Sequence, residues 1–502
     1  MDGPYHKRRV REVLRGNVQG KVMSSSSLKT NIFLNYLNTI TGLIFPVVTF
    51  PYASRILLPE GIGIVNFLNS IINYIILLTS LGIPLYAVKE VAKYRDNLSL
   101  RNKTTIEIII LSLSLSLFGY IAVYLIARYV PQVEANKGLF FVLSSAILFN
   151  SLGVNWFYQA IEDFKYITIR AILVRSLAAC SLFLFVKDSS DLLVYGLVVV
   201  GTSVGNNLVN FIHLRKYISF SSVRVYKLHI LSHLKPALHI FVLNLIISIY
   251  AQLNTVMLGF MADEYAVGIY TAGNKLPHMF LSVVTSLGAV MLPRCSNLVS
   301  TGKLDEFARV SDRAVRLILT LSLPFVALLT ILAQPIIEIF CGHSFLESVP
   351  VVYWTAPIVV FIGLTNVIGI QMLYPLGKEN IVIYSTLGGA VANLLLNVVL
   401  IPRYQAVGAA VSTFFAELVV LLIQMIVGRK YIPVKLFSRY NMRYLGALGL
   451  MCVVIIPYVC IVKNMWLQII GTFFLGGITY AGVLIAYKDD IVIEIKKYIF
   501  KR

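Results

Sequence analysis

The chain has 502 residues, of which 58% are hydrophobic and only 13% charged, with a mean hydropathy of +0.81. Soluble domains carry about a quarter charged residues, so a soluble enzyme or binding module is excluded and a polytopic membrane protein is implied. The formal net charge of +20 does not indicate nucleic acid, because Lys and Arg lie between apolar runs, where basic inner loops orient a membrane protein.

A spanning helix takes about 20 apolar residues. That rule predicts an all-α integral membrane fold of about fourteen spans, near 30–54, 64–87, 104–127, 139–158, 168–186, 192–213, 236–260, 267–291, 315–339, 351–374, 381–401, 407–427, 444–462 and 465–487. Residues 1–29 read as a basic cytoplasmic tail, 30–213 as an N-terminal lobe of six spans and 214–235 as a cytoplasmic linker. Residues 236–427 read as a C-terminal lobe of six spans, 428–487 as two additional spans and 488–502 as a second cytoplasmic tail. The basic start is not followed by a short apolar core with a small-residue cleavage site, so no cleavable signal peptide is expected.

The first two spans carry Asn31, Asn35 and Asn38, then Asn66, Asn69 and Asn73. Spacings of three and four put each set on one helix face, and that face should meet protein or water rather than lipid. Pro46 and Pro51 each remove a backbone donor and predict a bend within the first span. A faint internal repeat follows. SLGIPLYA at Ser80 is echoed by SLGAVMLP at Ser286, and PEGIGIV at Pro59 by DEYAVGIY at Asp263, both offset by about 205 residues. Two pseudo-symmetric bundles would then enclose a central cavity, one known route to alternating access.

Orientation follows from charge. Of the 43 Lys and Arg, 35 fall on the amino-terminal side, 6 on the other (Arg55, Arg128, Lys137, Lys187, Arg403, Lys463) and 2 within spans (Arg175, Lys275). Both termini are therefore expected in the cytoplasm, and the outer loops are too short for a folded domain. Five cysteines show no paired spacing, so neither a disulfide framework nor a zinc site is expected.

The intramembrane ionisable groups are few. Arg175 and Lys275 suit an anionic substrate, with Arg55 at the outer rim of a shared cavity; snorkelling of Arg175 and an ion pair for Lys275 are the structural alternatives. Glu417 is the most isolated acid and reads as an ion or proton path, or as a structural partner of Lys275. Glu107 and Glu338 lie near span ends and read as interfacial, while His213, His239 and His278 lack metal-like spacing. No phosphate-binding loop, nucleophile elbow or metalloprotease motif is present, so no cofactor is expected and transport must draw on a gradient.

Tyr52 to Phe67, YASRILLPEGIGIVNF, SLGIPLYAVKEVAKYRD from Ser80, and WFYQAIEDFKYITIRAILVR from Trp156 closely resemble the signature of polysaccharide flippases. These are the O-antigen and capsule transporters of the multidrug/oligosaccharidyl-lipid/polysaccharide exporter superfamily. Leu58 stands where that family usually has Gly. Met23, opening SSSSLKTN, looks like the family's start, which would make residues 1–22 an upstream extension. The resemblance implies movement of undecaprenyl-diphosphate-linked oligosaccharide repeat units across the plasma membrane. Implied partners are the lipid-linked oligosaccharide, membrane lipids, and the polymerase and chain-length machinery. Other readings are a lipid-linked peptidoglycan precursor flippase, a drug or metabolite antiporter of the same superfamily, and, from another class, a membrane enzyme of glycan assembly. By resemblance, a coupling ion would sit among Asn254, Asn393, Asn397 and Thr413, where family acids are here Asn. Glu417, one turn beyond Thr413, could supply the missing charge, and proton and sodium both stand as candidate ions.

Overall fold

The computed structural model describes residues 28–218, 228–434, 436, 438 and 440–493. Hydrocarbon leaves backbone groups no partner but their own segment, and the described chain is accordingly helical throughout its apolar runs. The main helices are α1 (Leu28–Ser80), α2 (Ile83–Lys93), α3 (Leu98–Tyr129), α4 (Lys137–Leu152), α5 (Asn155–Ala160), α6 (Phe164–Phe185) and α7 (Leu192–Leu214). The C-terminal half contributes α8 (Leu234–Met261), α9 (Glu264–Ser300), α10 (Leu304–Ile331), α11 (Ala333–Phe340), α12 (Val349–Thr355), α13 (Ile358–Asn366), α14 (Glu379–Gly428), α15 (Met442–Ile461) and α16 (Met465–Ala486). Residues 1–27, with the start at Met23, residues 219–227 of the predicted linker and residues 494–502 of the second predicted tail lie outside the described residues.

Among the described residues nine helices are long and apolar enough to cross a membrane, or ten if a pair bent by 40° counts as one span. Two of the nine are double. Helices α1 and α14 have 53 and 50 residues, which drawn straight would reach about 75 to 80 Å, more than twice a hydrocarbon core of about 30 Å. Each folds back at one non-helical residue, Leu58 in α1 and Gln405 in α14. In α14, Gly408 packs on the Leu400 carbonyl, Gly389 on Val420, and Gln424 Nε2 donates to Ser385 Oγ at 3.2 Å, the register of an antiparallel hairpin.

The break in α1 does not fall where proline spacing predicts it. The helix runs on through Pro46 and Pro51 and turns at Leu58, directly before Pro59, because a proline ring disfavours helical geometry in the residue before it. Leu58 has φ 59° and ψ 176°, a conformation that glycine adopts freely and that costs other residues about 1–3 kcal/mol. The departure from the usual family glycine therefore carries strain.

Close packing at this turn joins the two halves. A Cβ on Gly63 would overlap the Glu264 carbonyl, and one on Gly268 would overlap the Pro59 carbonyl. The two copies of the sequence repeat thus meet face to face. Beyond the turn Gly259 packs on Phe67, and a Cβ on Gly82 would lie 2.7 Å from Phe241 N, so the second limb of α1 runs antiparallel to α8. Before it, Phe50 lies beneath Lys275, so the first limb runs antiparallel to α9. Two helical hairpins are docked turn to turn.

The connection into α8 is pinned to the N-terminal half. Glu107, expected at the interface, is buried instead. Its Oε1 accepts from His229 N at 2.7 Å and its Oε2 lies 3.0 Å from His233 Nε2. His233 Nδ1 shares a 2.6 Å hydrogen bond with the Tyr86 hydroxyl. Burial of a carboxylate is tolerated because it is paired and hydrogen-bonded, and the result fastens residues 229–233 to α2 and α3.

Candidate functional site

Between the docked turn and the far ends of these helices lie two adjoining cavities. The first, about 500 Å³, is lined by Asn73, Tyr74 and Ser80 of α1, Asn150 of α4, and Phe241 and Gln252 of α8, so both halves contribute. The second, about 330 Å³, shares Ser80, Pro84, Leu85 and Asn150 with it and adds Asn155, Gln159 and Asn207. Neither lining contains a carboxylate. Asparagine and glutamine each present two donors and an acceptor oxygen, the complement that sugar hydroxyls need. Asn66, Asn69 and Asn73 are half-buried while most residues between them are buried, so the stripe read from the sequence faces accessible space. Beside the second cavity, Arg170 Nε donates to Asn206 Oδ1 at 3.1 Å and its Nη2 to Asn155 Oδ1 at 3.2 Å.

The three cations expected at the substrate all touch the first limb of α1, at successive heights. Arg175 Nη1 donates to Asn38 O, Asn38 Oδ1 and Thr41 Oγ1 at 3.0, 3.1 and 2.9 Å, with Gly42 leaving room for the guanidinium. Lys275 Nζ lies 5.0 Å from the Phe50 ring centre and forms no ion pair among the described residues. Arg55 donates from Nη2 to the Ile339 carbonyl in α11. Arg55 and Lys275 share Cys341 as a neighbour. Arg175 shares no contact with them: it clasps α1 to α6, whereas Lys275 reaches α1 from α9. All five cysteines are free, and Cys341 is buried.

The residues expected to hold an ion form a single network. Asn254 Nδ2 donates to the Tyr270 hydroxyl at 2.8 Å and to Thr413 Oγ1 at 2.6 Å. Asn397 Nδ2 donates to Asn254 Oδ1 at 2.8 Å and to Asn393 Oδ1 at 3.1 Å. All five side chains are buried, Asn393 and Asn397 completely. Asn397 Oδ1 and Asn393 Nδ2 have no hydrogen-bond partner. Glu417 is buried one turn from Thr413, and the α14 hairpin register puts it level with Asn393. Among the described residues no group of three or more His, Cys, Asp or Glu could hold a metal. Tyr270 was missed from sequence because a tyrosine in an apolar helix reads as core; its place in the second repeat copy, two residues after Gly268, was the available signal. His213, read as structural or pore-lining, is stacked on Tyr166 at 4.1 Å.

Comparison with known proteins gives the same picture. Residues 28–299, more than half of the chain, match the family described as polysaccharide biosynthesis protein, and residues 240–399 match the MatE family. A relative from Escherichia coli (strain K12) named "Putative O-antigen transporter" is 24% identical over 399 residues, covering 78% of this chain and 95% of its own. The relative of the same name from Shigella dysenteriae is also 24% identical, over 79% of this chain and 98% of its own. Among solved structures, lipid II flippase MurJ in an inward closed conformation superposes with a TM-score of 0.64 at 16% identity, over 92% of this chain and 99% of that one. An inward-facing multidrug resistance MATE family transporter gives 0.61 at 12% identity, over 79% and 94%. These likenesses establish a shared fold. The chain belongs to the polysaccharide biosynthesis protein family and is a polysaccharide flippase of the multidrug/oligosaccharidyl-lipid/polysaccharide exporter superfamily.

Proposed function

We propose that this flippase moves undecaprenyl-diphosphate-linked oligosaccharide repeat units from the inner to the outer leaflet of the bacterial plasma membrane, for surface polysaccharide synthesis, as a secondary transporter and not an enzyme. The observation that carries this is the pair of adjoining amide-lined cavities, the larger of them bounded by both halves. Sugars and a diphosphate cannot cross hydrocarbon unaided, whereas a polyprenyl tail can stay in it. Arg55 and Lys275 would meet the diphosphate or acidic sugars, Arg as a planar fork and Lys as a point charge. Arg175 would act by holding α1 in place. A site for cationic drugs would call for carboxylates, and these linings have none. In a strain lacking the gene, lipid-linked repeat units should accumulate on the inner leaflet, and their normal export would overturn the reading. Both termini are taken as cytoplasmic. In a cysteine-free background, cysteines at the exposed positions Lys137 and Lys463 should then react with an impermeant reagent from outside and one at Lys303 should not.

For the driving force, the amide network supports a monovalent cation. Rotating the Asn397 amide by half a turn would aim its unpartnered Oδ1 at Asn254 Oδ1 and Asn393 Oδ1, and three converging oxygens repel one another unless a cation sits between them. Glu417 would add charge for sodium, or carry a proton itself. In proteoliposomes with an imposed sodium or pH gradient, one gradient should drive flipping and Glu417→Gln should abolish that response. An intact response in Glu417→Gln would make Glu417 structural.

A further inference from the structure

A third cavity stands apart from the sugar-sized ones and from the amide network. It measures about 830 Å³ and lies between the last turns of α9, the first turns of α10, and Pro433, Val434 and Ser438. Arg309, Arg313 and Arg316 of α10 line it at spacings of four and three, hence on one helix face, and Arg294 of α9 faces them. Two carboxylates share the wall. Glu306 lies 3.7 Å from Arg294, and Asp312 lies 3.0 Å from Arg316, which also approaches Asp490 at 3.8 Å. Within the lining itself four guanidiniums stand against two carboxylates. Apart from Ser438 the remainder of the lining is apolar, with Met291, Leu317 and Val434 among it.

A free anion from the cytosol needs the charge but not the apolar wall. A phosphodiester headgroup continuing into glycerol and acyl chains needs both. The cavity also sits where α10 passes from its polar first turns into its apolar run, Leu317 being the first lining residue of that run, which is the height of headgroups for a helix entering the bilayer. Guanidinium groups bind phosphate oxygens bidentately, and basic pockets between transmembrane helices on the cytoplasmic side suit anionic lipid headgroups. We infer that this cavity binds the phosphate of an anionic membrane phospholipid. Bound there, the lipid bridges α9 and α10 and touches Pro433, Val434 and Ser438.

The test uses the full-length protein in a neutral detergent and reads its thermal midpoint against added lipid. Phosphatidylglycerol or cardiolipin should raise the midpoint, phosphatidylcholine should not, and Arg309→Gln/Arg313→Gln should lose most of the rise. Lys165→Gln/Arg215→Gln, which removes two exposed basic residues elsewhere, should keep it. Inorganic pyrophosphate and undecaprenyl phosphate separate the alternative sources. A rise with pyrophosphate equal to that with phosphatidylglycerol would overturn a lipid site in favour of a free-phosphate site. A rise with undecaprenyl phosphate alone would overturn it in favour of a substrate station. Equal shifts in both double variants would overturn the location.

Discussion

The two polar interiors of this flippase are built on opposite rules. In the two cavities, one bounded by both halves and one within the N-terminal half, amides from α1, α4, α5, α7 and α8 line open space, and the Lys275 ammonium, outside these linings, lies over the Phe50 ring face. In the C-terminal half, Asn254, Tyr270, Asn393, Asn397 and Thr413 have closed on one another through four hydrogen bonds donated by the Asn254 and Asn397 amides, with Asn393 Nδ2 and Asn397 Oδ1 left over among the described residues. Unspent hydrogen-bonding capacity facing accessible space costs the fold little and is available to a ligand. Capacity spent internally at full burial stabilises one arrangement and resists change, since an unmet buried polar group costs about 1–3 kcal/mol. The first kind of interior can bind; the second can switch, provided something repays its broken bonds.

That contrast can be broken from either side. The largest expected effect is from Lys275→Ala: surface polysaccharide should be lost in a complementation assay while membrane insertion and thermal stability stay near those of the parent, since among the described residues Lys275 contributes only the contact with the Phe50 ring. Full complementation would remove Lys275 from the substrate path. Asn254→Leu should do the reverse in kind. It removes three hydrogen bonds at once, to Tyr270, Thr413 and Asn397, so the thermal midpoint should fall, by an amount matching a few kcal/mol at most; an unchanged midpoint would mean that the network contributes nothing to stability. The smallest effect belongs to the turn joining the halves, where Leu58→Gly should relieve about 1–3 kcal/mol of backbone strain, less roughly 0.5–1 kcal/mol for the freer unfolded chain. A drop in stability would show that the Leu58 side chain is needed there.

Sequence made the helices and the amide stripe of α1 legible because both are periodic in one dimension, whereas the network members on α14 were singled out by the family resemblance, with the four-residue spacing of Asn393 and Asn397 only putting those two on one face. The cavity lining was not. Asn73, Asn150, Asn155, Asn207 and Gln252 come from five helices, and no spacing along the chain announces residues that converge only in space. Glu107 was misread for a related reason. Position near a span end suggests exposure, but its partners His229 and His233 lie more than 120 residues away. Arg175 stood out as an intramembrane charge, but its acceptors were not legible, because Asn38 and Thr41 belong to a helix whose placement beside α6 follows only from packing.

The pinned start of α8 gives that helix a mechanical character. Its first turns belong to the N-terminal half, where Ala237 packs in the same buried cluster as Tyr86, while Asn254 near its other end sits in the network of the C-terminal half. Twenty-one residues separate His233 from Asn254, about 30 Å of helix. With a fulcrum at the Glu107–His233–Tyr86 clasp, a tilt of only about 5° would sweep the Asn254 amide through roughly 3 Å at that arm length, the length of a hydrogen bond. The helix is a lever: rearranging a few amides at its tip and rocking one half of the protein against the other become the same motion.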